Sequence, residues 1–115
     1  MTSDETMLPA VGVRPLDEVF DAIETANRRP QPWTGFDHAV LGAYRWAAGT
    51  QVAAPVTAAA AALGAAGPCR AQLLAECQAA AVRLREALTT GADSAGALGA
   101  YQALAWLCGH HDDRP

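Results

Sequence analysis

The stretch WTGFDHAVLGAYRW, residues 33–46, gathers Trp33, Phe36, Tyr44 and Trp46 in a chain whose apolar content is otherwise largely alanine. The way it folds decides the architecture of the rest. Thr34 is suited to cap a helix, with Asp37 three residues on in a capping-box arrangement, and Gly49 is a natural stop. Trp33, just ahead of the cap, is placed to pack back on the first turn as a hydrophobic staple does. At 100° per residue, Phe36, Val40 and Tyr44 form one stripe with Leu41 beside it, while Trp46 lies about 160° from Tyr44, on the side of Ala39 and Ala43. The helix is therefore apolar on two sides, with a narrow polar edge of His38, Gly42 and Arg45. Trp46 either packs on a second layer of helices, which makes this helix central, or faces out beside Arg45; the first arrangement is favoured.

Toward the N-terminus, Pro15 opens LDEVFDAIETANRR, residues 16–29. Leu16, Val19, Phe20 and Ile23 share one side of this helix, and Asp17, Asp21 and Glu24 the other. Early acids and the late pair Arg28 and Arg29 suit the helix dipole, and Pro30 and Pro32 end the helix. Toward the C-terminus, Thr57 caps a short alanine helix, AAAAALGAA. A longer helix runs from Pro68 to Thr90 and stops at Gly91. Its expected inner stripe is Cys69, Leu73, Cys77, Ala80, Leu84 and Leu88, with Glu76, Arg83 and Glu86 facing away. Ser94 caps the last helix, AGALGAYQALAWLCGHH. There Ala95, Gly99 and Ala103 recur every four residues, a smooth strip that lets another helix approach closely, with Trp106 next to it. No alternation of strand period appears, so the predicted fold is all-α: a small bundle of four main helices plus one short helix. Residues 1–13 read as a flexible arm, 14–111 as a single helical domain, and 112–115 as a frayed tail.

The hydrophobic fraction is 51%, yet alanine supplies nearly half of it, so the core must be thin and helped by tight packing or by a partner. All basic residues are Arg, the usage of a GC-rich coding sequence, and they are scattered along a chain of net charge −4. No nucleic-acid footprint results. The N-terminus opens with acids and lacks the basic flank and apolar segment of a secretory signal, which predicts a cytoplasmic protein. The uncharged run from Ala47 to Cys69 is interrupted by Thr50, Gln51, Pro55, Thr57, Gly64, Gly67 and Pro68, too polar and too alanine-rich for a membrane span.

Catalytic chemistry finds little support. Cys69 and Cys77 on one helix lie about 12 Å apart, too far for one disulfide or one metal ion. The tail CGHHDD brings Cys108, His110, His111, Asp112 and Asp113 together, but a metal needs further ligands from another segment, so no metal is expected. The spacing of Asp17, Asp21 and Glu24 is similar to half of the magnesium site of all-helical nucleotide diphosphatases of the MazG type. The other half is missing, because Glu76 and Glu86 stand without a second carboxylate one turn away, and the likeness is rejected. No nucleophile constellation and no phosphate loop appears, and no cofactor is expected. The reading that results is a non-catalytic helical protein that acts through protein–protein contact and self-associates as a homo-oligomer. Its interaction candidates are Arg45, Trp46, Gly99, Ala103 and Trp106. The alternative is a small-molecule site or an enzyme in a cleft between helices, lined by His38, Tyr44 and Tyr101 with Arg45.

Overall fold

The computed structural model describes residues 10–11, 13–50, 54–57, 68 and 70–115. The short alanine helix expected after Thr57 and the thiol of Cys69 lie outside the described residues, as does most of the expected N-terminal arm. Within them the chain is a small all-α bundle: α1 (Leu16–Asn27), α2 (Gly35–Ala47), α3 (Arg70–Thr90) and α4 (Ala95–Leu107). A two-residue antiparallel pairing, β1 (Ala10–Val11) with β2 (Arg14–Pro15), precedes α1. This corrects the expectation of a free arm up to residue 13, because the Val13 N–H also donates to the Leu107 carbonyl at 3.1 Å. No helix among the described residues is long and apolar enough to cross a membrane.

Local chemistry explains α2 well. The Thr34 side chain accepts from the Asp37 N–H at 3.3 Å, and the Asp37 carboxylate accepts from the Thr34 N–H at 3.0 Å, closing a reciprocal capping box. Trp33 donates its indole N–H to the Arg29 carbonyl at 2.9 Å and meets the His38 ring edge-on at 5.2 Å, so the staple is aromatic on both sides. At the far end Gly49 sits at φ 81°, a conformation that favours glycine. The Thr34 backbone N–H, followed by Arg29, whose guanidinium reaches Asp37 at 2.8 Å, holds the Asp37 carboxyl below its ordinary value of 3.8. A group depressed on folding contributes stability above its unfolded pKa and loses it as pH falls through the folded value. Acid titration of the melting temperature should therefore show a loss beginning near pH 4 and continuing below it that Asp37→Asn removes. Thr34→Ala should cost about 1 kcal/mol near neutral pH. A flat comparison of the two acid limbs would dismiss the box as a stabilising device.

Packing places α4 at the centre. It packs most extensively on α2, then on α3, while α1 packs on α2. Its run from Ala103 to Cys108 is buried all round, as a helix flanked on two sides requires. α1 buries Val19, Ala22 and Ala26, with Leu16 and Ile23 partly covered, and leaves Phe20 47% exposed. The expected stripe is thus corrected: the two alanines fix the centre of the face near Val19, and Phe20 lies about 100° from it.

α3 shows a similar shift. Leu73, Cys77 and Ala80 are buried, but Leu88 is 67% exposed and Glu76 only 4%, the reverse of the expected facing. Relative to Ala80, Leu88 lies about 80° off and Glu76 about 40° off on the other side, so rotation brings the carboxylate inside. The cap of α4 is also corrected, since Ser94 makes no capping hydrogen bond and the Asp93 carboxylate instead accepts from the Ala95 N–H at 3.0 Å.

Candidate functional site

The strip expected to meet a partner is occupied within the chain. Gly99, Ala103 and Trp106 are buried, and a Cβ at Gly99 would stand 2.5 Å from the Phe36 carbonyl oxygen and 3.2 Å from the Ala39 Cβ. The close approach inferred from small residues is real, and the approaching helix is α2. Arg45 and Trp46 do not form a joint contact either. Trp46 is buried at 2% exposure, whereas Arg45 is exposed and its guanidinium reaches the Asn27 side-chain oxygen at 3.4 Å. Adjacent residues on a helix point about 100° apart, which separates the pair.

The three residues of the expected ligand cleft fall into three environments. His38 is exposed beside Trp33. Tyr44 is interior, edge-on to Trp106 at 5.8 Å, and desolvation pushes its hydroxyl well above the ordinary range. Tyr101 is half-buried on α4 facing α3. No single cleft takes all three.

Two residues that sequence reasoning missed organise the molecule. The Arg14 guanidinium lies 4.6 Å over the Trp106 ring, donates from Nε to the Trp106 carbonyl and from a terminal nitrogen to the His111 carbonyl, both at 2.8 Å, and sits 3.6 Å from Asp112. It thereby satisfies carbonyls at and beyond the C-terminus of α4 while stacking on that helix's largest side chain. The tail expected to fray is tied down further by Arg114, 3.2 Å from Asp21. Glu76, the second, accepts from the Val56 N–H, from the Thr57 N–H at 2.8 Å and from the Thr57 hydroxyl at 2.9 Å. Neither link carries a local signal, because the partners lie far apart in sequence.

On the outer side of α3 a groove of about 320 Å³ runs between α3, α4 and the turn that follows, lined by Leu74, Cys77, Gln78, Ala81, Tyr101 and His110. Leu74, Val82 and Leu88 are exposed along the same helix. At the groove's inner wall Cys77 Sγ lies 3.9 Å from His110 Nδ1, and Cys108 is close enough that each thiol acts on the ionisation of the other. Both thiols are free and buried. Burial pushes the Cys77 thiol up to about 11 and also raises Cys108, so both rest protonated near neutral pH. Cys108 and His110 thus find a neighbour outside the tail, though among the described residues no group of three or more His, Cys, Asp or Glu side chains has the arrangement to hold a metal ion. The arrangement offers an apolar contact face with a thiol pair beneath it. Comparison with known protein families, with curated proteins and with solved structures gives no match for this chain.

Proposed function

We propose that the chain is a non-catalytic helical protein that works by protein–protein contact, with a second copy of itself as partner, through the outward face of α3. The observation that carries this reading is the placement of Leu74, Ala81 and Leu88 at seven-residue intervals on a helix whose Leu74, Val82 and Leu88 are 38%, 45% and 67% exposed. The pattern is symmetric about Ala81. Two α3 helices laid antiparallel across a two-fold axis at Ala81 set Leu74 against the partner's Leu88 at both ends of the contact, with a small residue at the crossing point. Arg85 then falls opposite the partner's Cys77 and Gln78, so no like charges meet along the seam. α3 suits this role because, among the described helices, its principal packing partner is α4.

Light scattering across a concentration series should show a dimer. Leu74→Glu or Leu88→Glu should weaken it, each by about tenfold in Kd, the scale expected from losing one partly buried leucine contact. Helicity by circular dichroism should stay unchanged, since both side chains point away from the core. Ala81→Cys should cross-link to itself under oxidation, which only an axis through that position allows. A strictly monomeric chain at high concentration, or a dimer indifferent to both leucines, would defeat the proposal.

A further inference from the structure

A cavity of about 280 Å³, separate from the groove beside Tyr101, opens between α3, α4 and the segment of residues 54–57. Pro55 and Val56 line it from that segment, Ala80 and Arg83 from α3, and Gly96 and Ala100 from α4; Val56, Ala80 and Ala100 are buried, whereas Arg83 is exposed and so stands at the rim. The space is built in. Glu76 fixes the Val56 and Thr57 N–H groups against α3, which holds the wall in place, and a Cβ at Gly96 would meet nothing within 4 Å.

We propose that this cavity binds a small aliphatic monocarboxylate, its chain against the alanine and valine walls and its carboxylate paired with Arg83. Apart from Arg83, every lining residue is Ala, Pro, Val or Gly, so water inside finds few side-chain partners and an apolar chain displaces it favourably. No aromatic ring lines the cavity, and a flat ligand would gain no stacking there. The volume lies just under that of drug-sized sites, which calls for a short chain. The head group follows from charge. Among the described residues the Arg83 guanidinium makes no hydrogen bond or ion pair, with Glu86 one turn along α3 or with any other group, and Glu76 is engaged with residues 56 and 57. Its planar donors match a carboxylate, and no second cation lines the cavity to balance a more highly charged phosphate.

The inference stands apart from self-association. Arg83 lies about 160° around α3 from Ala81, so a partner seated on Leu74, Ala81 and Leu88 leaves the cavity uncovered. Octanoate is the probe, titrated into the full chain with isotope-labelled alanine and valine methyl groups, and octanol and acetate are the controls. Saturable shifts are expected at Val56, Ala80 and Ala100, with a Kd of about 1 mM or tighter for octanoate. Octanol should bind about fivefold more weakly, the scale of one solvent-exposed ion pair, and acetate should not saturate. Arg83→Gln should lower octanoate to the level of octanol while leaving octanol binding and the melting temperature unchanged, because the arginine is exposed and unpaired. Gly96→Leu should fill the cavity and abolish both; Arg83→Gln decides the matter if that variant does not fold. Leu88→Glu should bind octanoate as wild type does, which separates this site from the dimer seam. Equal affinity for octanoate and octanol, wild-type octanoate affinity in Arg83→Gln, shifts centred on Leu74 and Tyr101, or no saturable binding would overturn the proposal.

Discussion

Gly99→Glu is expected to leave no folded protein, and Gly99→Ala alone to lower stability by about 1–3 kcal/mol, the usual range for overpacking. The reason lies in what an added Cβ meets: the Phe36 carbonyl oxygen at 2.5 Å, the Phe36 Cα at 3.1 Å and the Ala39 Cβ at 3.2 Å. Two of these three atoms are backbone, so no rotamer change relieves the contact. α2 and α4 must move apart, and the separation loosens the packing that buries Val40, Tyr44 and Trp106. Against this stands the gain of about 1 kcal/mol that alanine brings over glycine inside a helix. The backbone contact outweighs it because it is rigid on both sides. Glutamate adds a charge with no partner in the same tight interface, and that cost belongs to a larger class. Gly42 and Gly96 are the controls, since a Cβ at either meets nothing within 4 Å among the described residues. Their alanine variants should be neutral or more stable by up to about 1 kcal/mol. Thermal melts of the three alanine variants decide the matter, and a Gly99→Ala protein as stable as Gly42→Ala would refute the packing account.

That outcome also marks where sequence ceases to be informative. The recurrence of Ala95, Gly99 and Ala103 announces close helix approach, because only small residues permit it, but nothing in the pattern says which helix approaches. The same limit governs Trp46, whose burial follows from α2 lying between other elements. α2 itself was legible to the residue, since its capping box, staple and terminal glycine are fixed by neighbours within four positions. Arg14 and Trp106 are 92 positions apart, Glu76 and Val56 are 20 apart, and Cys77 and His110 are 33 apart. Arg14, Glu76 and His110 each read as solvated when only their own helix or arm is considered. Phe20 and Leu88 show the converse error, because a large apolar side chain near the edge of a stripe is counted as inner until the packing partner fixes the centre of the face. The exposed edge of α3 is hidden for that reason, because spacing alone counts Leu88 with the core.

Glu76→Ala should be the other most damaging substitution, at about 3 kcal/mol or more. The residue is 4% exposed, and its carboxylate accepts three hydrogen bonds, two from the backbone of residues 56 and 57 and one from the Thr57 hydroxyl. A hydrogen bond to a charged group contributes about 1.5–3 kcal/mol, and removing the acceptor leaves the Val56 N–H, in a buried residue, without this partner. Part of that sum is returned, because alanine no longer requires a buried charge to be stripped of water. Glu76→Gln separates the two contributions. Its Oε1 can still accept from both N–H groups, and the Thr57 hydroxyl can turn to accept from Nε2, so the loss should fall to about 1 kcal/mol. Denaturant unfolding of the two variants measures the difference. Hydrogen exchange at the Val56 and Thr57 amides locates it, with faster exchange expected at both in Glu76→Ala and near-normal exchange in Glu76→Gln. If glutamine proves as harmful as alanine, the negative charge is what the loop requires; if alanine is harmless, the carboxylate does not hold residues 54–57 against α3.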